Sequence, residues 1–89
     1  YGEIDLICRD GEEVVFVEVK TRRSRRFGFP EESVTAAKIL RIVRSAEHIL
    51  QERKWIDIPW RVDVVSVEFD HETPVFTHLK GIDMPEGSW

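Results

Sequence analysis

The sequence predicts an α/β fold in which one long helix packs on a mixed β-sheet. Two runs near the start alternate apolar and polar residues on either side of an Asp-Gly pair, as the strands of a hairpin do. A long middle segment repeats its apolar residues at helical spacing, and two further β-branched runs follow it. The predicted element order is therefore β-β-α-β-β, with the helix against one face of the sheet.

The first two strands are predicted from alternation and composition. Glu3 to Cys8 alternates polar and apolar residues, which is typical of a half-buried strand, and we expect Cys8 itself to be a small core residue. Arg9 to Glu12 contains Asp-Gly, which readily supplies the positive φ of a tight turn. Val14 to Lys20 is rich in β-branched residues, so we expect a central strand that pairs antiparallel with the first.

The middle of the chain is predicted to be a loop followed by the helix. Arg22 to Pro30 lacks apolar periodicity and is predicted to be a loop. Ser33 or Thr35 can cap the helix, whose body runs from Ala36 to about Arg53. The stripe expected to face the core contains Ile39, Ile42, Val43, Ala46, Ile49 and Leu50. The side expected to be an ordinary exposed face carries Lys38, Arg41, Arg44 and His48.

Two more strands complete the sheet. Trp60 to Phe69 is the third, and Val75 to Leu79 is the fourth. Asp63 lies inside an apolar strand, where pairing with an arginine is favoured over metal binding. We expect residues 1–82 to form a single domain and residues 83–89 to be a frayed tail.

One helix covers only one face of such a sheet. We expect a further helix, preceding this segment in the chain, to cover the other face. The alternative is a second chain, as in a homodimer.

Composition excludes several classes of protein. The 89 residues are 42% apolar and 34% charged, which is typical of a globular domain. The single cysteine excludes an internal disulfide and a cysteine-rich zinc site. No apolar run is long enough to span a membrane, and no signal peptide opens the chain, so we expect a cytoplasmic protein without membrane association.

Although the formal net charge is −4, the chain contains a local run of cationic residues. Residues 55–89 are strongly acidic, whereas residues 1–54 are nearly balanced. Basic residues cluster after the second strand, at Lys20, Arg22, Arg23, Arg25 and Arg26. The arginines among them, Arg22, Arg23, Arg25 and Arg26, can contact nucleic-acid phosphates, the alternative being an ordinary solvated loop.

The predicted hairpin brings acidic residues together. A hairpin centred on Asp10-Gly11 pairs residues whose numbers sum to about 22 or 23. With a sum of 23, Asp5 lies opposite Glu18, and Glu3 lies opposite Lys20. Opposed like charges are unfavourable, so a divalent cation such as Mg²⁺ or Mn²⁺ would stabilise the pair. With Lys20 beside it, such an ion supports phosphodiester hydrolysis. The alternative is a set of cross-strand salt bridges on a solvated face.

These residues also carry a resemblance. Asp5 followed by Glu18-Val19-Lys20 resembles the D…ExK signature of the restriction-endonuclease-like, or PD-(D/E)xK, nuclease superfamily. A longer match resembles the bacterial YraN-type family, uncharacterised protein family 0102. The matching segments are residues 2–7 (GEIDLI), 9–11 (RDG), 15–22 (VFVEVKTR), 25–28 (RRFG) and 61–67 (RVDVVSV).

The resemblance implies a fold related to Holliday-junction resolvases and tRNA-splicing endonucleases. It implies that Asp5 and Glu18 are catalytic metal ligands and that Lys20 is the catalytic lysine. Glu3 is either an outer metal ligand or the partner of Lys20. The family usually begins with a further helix and strand that this chain lacks, and Ile39 stands where many members have glutamine.

Together these observations lead to two hypotheses. The first is a Mg²⁺- or Mn²⁺-dependent endonuclease that acts on structured DNA, with DNA favoured over RNA. The second is a noncatalytic nucleic-acid-binding or assembly module on a degenerate nuclease fold.

Overall fold

The computed structural model describes residues 4–23, 35–69 and 72–82, which form four strands and one helix. The elements are β1 (Leu6–Asp10), β2 (Glu13–Arg22), α1 (Ala36–Glu52), β3 (Trp60–Glu68) and β4 (Val75–Leu79). The strands form one sheet in the order β1-β2-β3-β4, in which β2 and β3 are parallel and the two outer pairs are antiparallel. The predicted α/β class, the element order and the mixed sheet are confirmed.

A two-residue loop joins β1 to β2. Gly11 occupies its first position with a φ of 63°, as a type II′ turn requires. The pairing runs from Asp10 opposite Glu13 to Leu6 opposite Val17. The predicted antiparallel hairpin is confirmed, although Arg9 and Asp10 belong to β1 rather than to the turn.

The burial of β1 differs from the prediction. All five of its residues are exposed, so the half-buried alternation is wrong, and so is the core position expected for Cys8. The reason is that β1 is an edge strand, whereas α1 packs on Phe16 of β2 and Val62 of β3, near the middle of the sheet.

The predicted helix is confirmed almost to the residue. Thr35 is the N-cap, and its side chain accepts a hydrogen bond from the Lys38 backbone N–H at 3.2 Å. The predicted stripe faces the sheet: Ile42, Val43, Ala46 and Ile49 are buried, and Ile39 and Leu50 pack partly buried against them.

The connection from β2 through α1 to β3 determines where a site can form. Because β2 and β3 are parallel, the chain leaves the carboxyl end of β2 and must return to the amino end of β3. The N-terminus of α1 therefore lies near the carboxyl ends of both strands. Ligands of open α/β sheets bind at this edge.

Several expectations fall at or beyond the limits of the described residues. Arg22 is the last residue of β2 rather than the first of the loop, and β3 ends at Glu68, one residue before the predicted end. Residues 24–30 of the loop and residues 83–89 lie outside the described residues. Among the described residues, no helix is long and apolar enough to cross a membrane.

Candidate active site

Glu18 is the buried carboxylate at the centre of the candidate site. It is 4% exposed and lies two residues beyond Phe16, on the helix-facing side of β2. A buried charge is tolerated only when it is paired. The Lys20 ammonium nitrogen Nζ lies 3.1 Å from Oε1 of Glu18, and that of Lys38 lies 3.6 Å from the same oxygen. One carboxylate oxygen is thus held by two ammonium groups, one from β2 and one from α1.

Asp5 lies beside the same segment of β2. Its Oδ2 accepts a hydrogen bond from the Val19 backbone N–H at 2.8 Å, and its own N–H donates to the Val17 carbonyl at 3.0 Å. Val19 stands between Glu18 and Lys20 in the chain. The structure therefore brings the carboxylate of Asp5 to the Glu-Val-Lys segment.

The contacts of Asp5 include more than the predicted cross-strand pairing with Glu18. The β1–β2 register, continued by one pair beyond Leu6 opposite Val17, would place Asp5 opposite Glu18. The hydrogen bond from the Val19 N–H additionally fixes its carboxylate in place, and the one from its own N–H to the Val17 carbonyl fixes its main chain. Glu3, the third predicted acidic residue, lies outside the described residues.

Ser66 adds a buried hydroxyl beside Lys20. It is 1% exposed and lies opposite Lys20 in the parallel β2–β3 register. Within the described part of the chain, its Oγ has no hydrogen-bond partner. Burial without a partner costs about 1–3 kcal/mol, so this hydroxyl can donate a hydrogen bond to a ligand at the carboxyl end of the strands.

The donor atoms of Asp5 and Glu18 fit a hard divalent cation. Mg²⁺ prefers oxygen ligands, keeps several waters and is usually held by one or two carboxylates. Among residues 4–23, 35–69 and 72–82, no group of three His, Cys, Asp or Glu side chains could hold a metal ion. If Asp5 and Glu18 held Mg²⁺ or Mn²⁺, water would fill most of the remaining coordination positions.

The predicted phosphate-binding arginines are only partly described. Arg22 ends β2, two residues beyond Lys20, and Arg23 follows it with an exposed side chain. Arg25 and Arg26 lie outside the described residues. The structure therefore places the start of the cationic run at the same edge of the sheet as Glu18 and Lys20.

Asp63 belongs to a separate network on the opposite face of the sheet. It is 1% exposed and accepts hydrogen bonds from Arg61 at 3.0 Å and from the Gly81 backbone N–H at 2.8 Å, and its Oδ2 lies 2.7 Å from His78 Nε2. Burial raises the pKa of Asp63, but these hydrogen bonds outweigh it and hold the pKa below its usual range. The predicted pairing with an arginine is confirmed.

Lys38 is the residue whose place the sequence interpretation missed. It was expected on the exposed helix face, yet only 20% of its side chain is exposed, and its ammonium contacts Glu18. The available signal was its position in the first turn of a helix that follows an acidic strand end. Arg41, Arg44 and His48, farther along α1, are exposed as expected.

Comparisons with known proteins point to one family. A model described as "Uncharacterised protein family UPF0102" matches residues 1–67. A UPF0102 protein of Geotalea uraniireducens is 45% identical over 80 residues, which cover 89% of this chain and 63% of that protein. A Neisseria meningitidis UPF0102 protein is 44% identical over 76% of this chain and 59% of its own length. One from Caldicellulosiruptor saccharolyticus is 47% identical over 74% of this chain and 56% of its own length.

The chain spans less than two thirds of the length of the relatives it matches. No solved structure matches it at a significant level.

Proposed function

The chain belongs to the uncharacterised protein family UPF0102, and from the site it carries we propose that it is a Mg²⁺- or Mn²⁺-dependent endonuclease with a restriction-endonuclease-like fold. Its proposed reaction is hydrolysis of phosphodiester bonds in structured DNA. The observation that supports this proposal is the meeting of three groups at the end of β2. Glu18 is buried against Lys20, and the backbone between them holds Asp5.

Each of these side chains has a distinct role in the proposed reaction. Asp5 and Glu18 would hold the divalent ion, and the hydrogen bond from Val19 fixes the carboxylate of Asp5 for this purpose. The bound ion would acidify a water molecule and polarise a phosphoryl oxygen. Lys20, positioned 3.1 Å from Glu18, would donate a hydrogen bond to the phosphate as negative charge develops on it.

The cationic run would position the substrate. Arginine binds phosphate oxygens through paired N–H donors, and contacts of this kind fix a protein on the nucleic-acid backbone. Arg22 and Arg23 at the end of β2, with Arg25 and Arg26 after them, would grip the phosphates that flank the cleaved bond.

A cleavage assay tests this proposal. The purified protein is incubated with Mg²⁺ or Mn²⁺ and a panel of a four-way junction, a flap, a single strand, a linear duplex and a structured RNA. We expect metal-dependent cutting of a branched DNA that Lys20→Ala abolishes. Lys80→Ala is the matched control, because Lys80 is exposed just after β4. Cutting by Lys20→Ala at the wild-type rate would contradict the assigned role.

The alternative is a noncatalytic nucleic-acid-binding or assembly module. It is favoured by the two lysines at Glu18, which already neutralise the carboxylate without a metal ion. This module would bind nucleic acid in EDTA, with affinity that falls as salt is added. Charge reversal at Arg23 and Arg25 would then weaken binding more than Glu18→Gln does.

A further inference from the structure

We propose that Lys38 is a second phosphate-binding lysine, which contacts the substrate phosphate adjacent to the one bound by Lys20. This inference deepens the proposed function, since it rests on a nucleic-acid substrate at the same site. It assigns to the first turn of α1 a direct part in substrate binding.

The contacts of Glu18 leave Lys38 with spare binding capacity. An ammonium group has three N–H donors. Among the residues that the structure describes, the Lys38 nitrogen forms an ion pair with one carboxylate oxygen, Oε1 of Glu18, at 3.6 Å. Lys20 approaches the same oxygen more closely, at 3.1 Å. Neutralising Glu18 therefore requires only Lys20, and the charge of Lys38 exceeds what this pair needs.

The charges of four groups in the site, with a metal ion bound, favour an anion. Asp5 and Glu18 together would balance one divalent cation, so that within this set of four the charges of Lys20 and Lys38 would remain. Two ammonium groups that share one carboxylate oxygen also repel each other. Two neighbouring phosphodiester groups, each carrying one negative charge, would neutralise both lysines.

The surroundings of Lys38 also favour a phosphate. Lys38 lies in the first turn of a 17-residue helix, and the N-terminus of a helix carries a partial positive charge. The buried Ser66 hydroxyl, without a partner among the described residues, lies opposite Lys20 and faces the helix side of the sheet. The phosphate bound by Lys20 would accept its hydrogen bond, and the adjacent phosphate would lie towards Lys38.

Salt-dependent binding tests this inference without requiring catalysis. A fluorescently labelled four-way DNA junction is titrated with protein at several salt concentrations, with Ca²⁺ in place of Mg²⁺ so that a divalent ion balances Asp5 and Glu18. Each lost phosphate contact reduces the slope of log K against log [salt] by about 0.9. We expect this reduction for Lys38→Met and wild-type slopes for Lys38→Arg, which retains the charge. Arg44→Met is the control on the same helix, because Arg44 is exposed.

The outcomes separate this inference from the nuclease proposal. A wild-type slope for Lys38→Met, with only a lower melting temperature, would show that Lys38 merely neutralises Glu18 and would overturn the inference. Absence of junction binding by the wild-type protein would overturn it as well. A reduced slope, in a protein that cleaves no substrate with Mg²⁺ or Mn²⁺, would support the inference while refuting the nuclease.

Discussion

The contact between Glu18 and Lys38 predicts a measurable coupling between strand and helix. Glu18→Gln retains the size of the side chain but leaves two ammonium groups beside a neutral amide. Lys38→Met removes one of those ammonium groups while preserving the length of the side chain. The double variant should therefore be less destabilised than the sum of the two single variants.

The distances set the size of the effect. At an effective dielectric constant of about 20, unit charges 3.6 Å apart interact by about 5 kcal/mol. The Lys38 side chain is 20% exposed, and burial removes hydration from Glu18, so most of this energy is offset. We expect a net coupling of about 1–2 kcal/mol, and about 2–4 kcal/mol of destabilisation for Glu18→Gln alone, since it breaks both pairs.

Urea unfolding followed by tryptophan fluorescence measures the free energy of unfolding of the wild type, the two single variants and the double variant, which together form a double-mutant cycle. The matched control cycle combines Glu18→Gln with Arg44→Met, which should be additive within about 0.5 kcal/mol because no contact joins these residues. A coupling energy below about 0.5 kcal/mol between Glu18→Gln and Lys38→Met would refute the contact between Glu18 and Lys38. Lys38 would then have no place in the candidate site.

Three further predictions concern the other carboxylates. Asp63→Asn should lower the free energy of unfolding by about 2–4 kcal/mol, because a buried acceptor of charged hydrogen bonds is lost. The side chain of Asp10 also contacts Arg61 but is 59% exposed, so Asp10→Asn should change the free energy of unfolding by less than about 0.5 kcal/mol. Equal losses of stability in Asp63→Asn and Asp10→Asn would contradict the role of burial. Because the folded pKa of Asp63 is below its ordinary value of 3.8, its contribution to stability is complete above that value and is lost as pH falls through the folded pKa. Below about pH 4, wild-type stability should thus fall more steeply than that of Asp63→Asn, and parallel curves would refute the shift. Asp5→Asn should abolish Mn²⁺ binding measured by electron paramagnetic resonance, whereas the exposed control Asp57→Asn should bind as wild type; retained binding by Asp5→Asn would remove Asp5 from the metal site.

Local sequence patterns determined much of the fold. The positive φ of Gly11 and the apolar spacing from Ile39 to Leu50 are properties of neighbouring residues, so the turn and the helix face could be predicted from them. The exposure of β1 could not be predicted in this way, because it depends on where α1 crosses the sheet. Cys8 has the composition of a core residue but lies on an edge strand that the helix does not cover.

The candidate site likewise combines features that neighbouring residues determine with features that depend on the tertiary fold. Residue spacing predicted that Glu18 and Lys20 share one face of a strand, and the structure joins them at 3.1 Å. The contribution of Lys38 depends on the parallel pairing of β2 with β3, which places the start of α1 over the end of β2. The hydroxyl of Ser66 depends on that pairing too, since it lies opposite Lys20 only in this register.

The parallel pairing of β2 with β3 also has a consequence for folding kinetics. Each outer pair of strands is close in sequence and can form as a local hairpin, whereas Val14 must find Trp60 across the whole helical crossover. Contacts of such long sequence separation form slowly because the loop between them must close first. We therefore expect the central pairing to limit the folding rate. Glu18, Lys38 and Ser66 belong to β2, α1 and β3, respectively. These three elements come together only when β2 pairs with β3, so the site would form in the final step of folding.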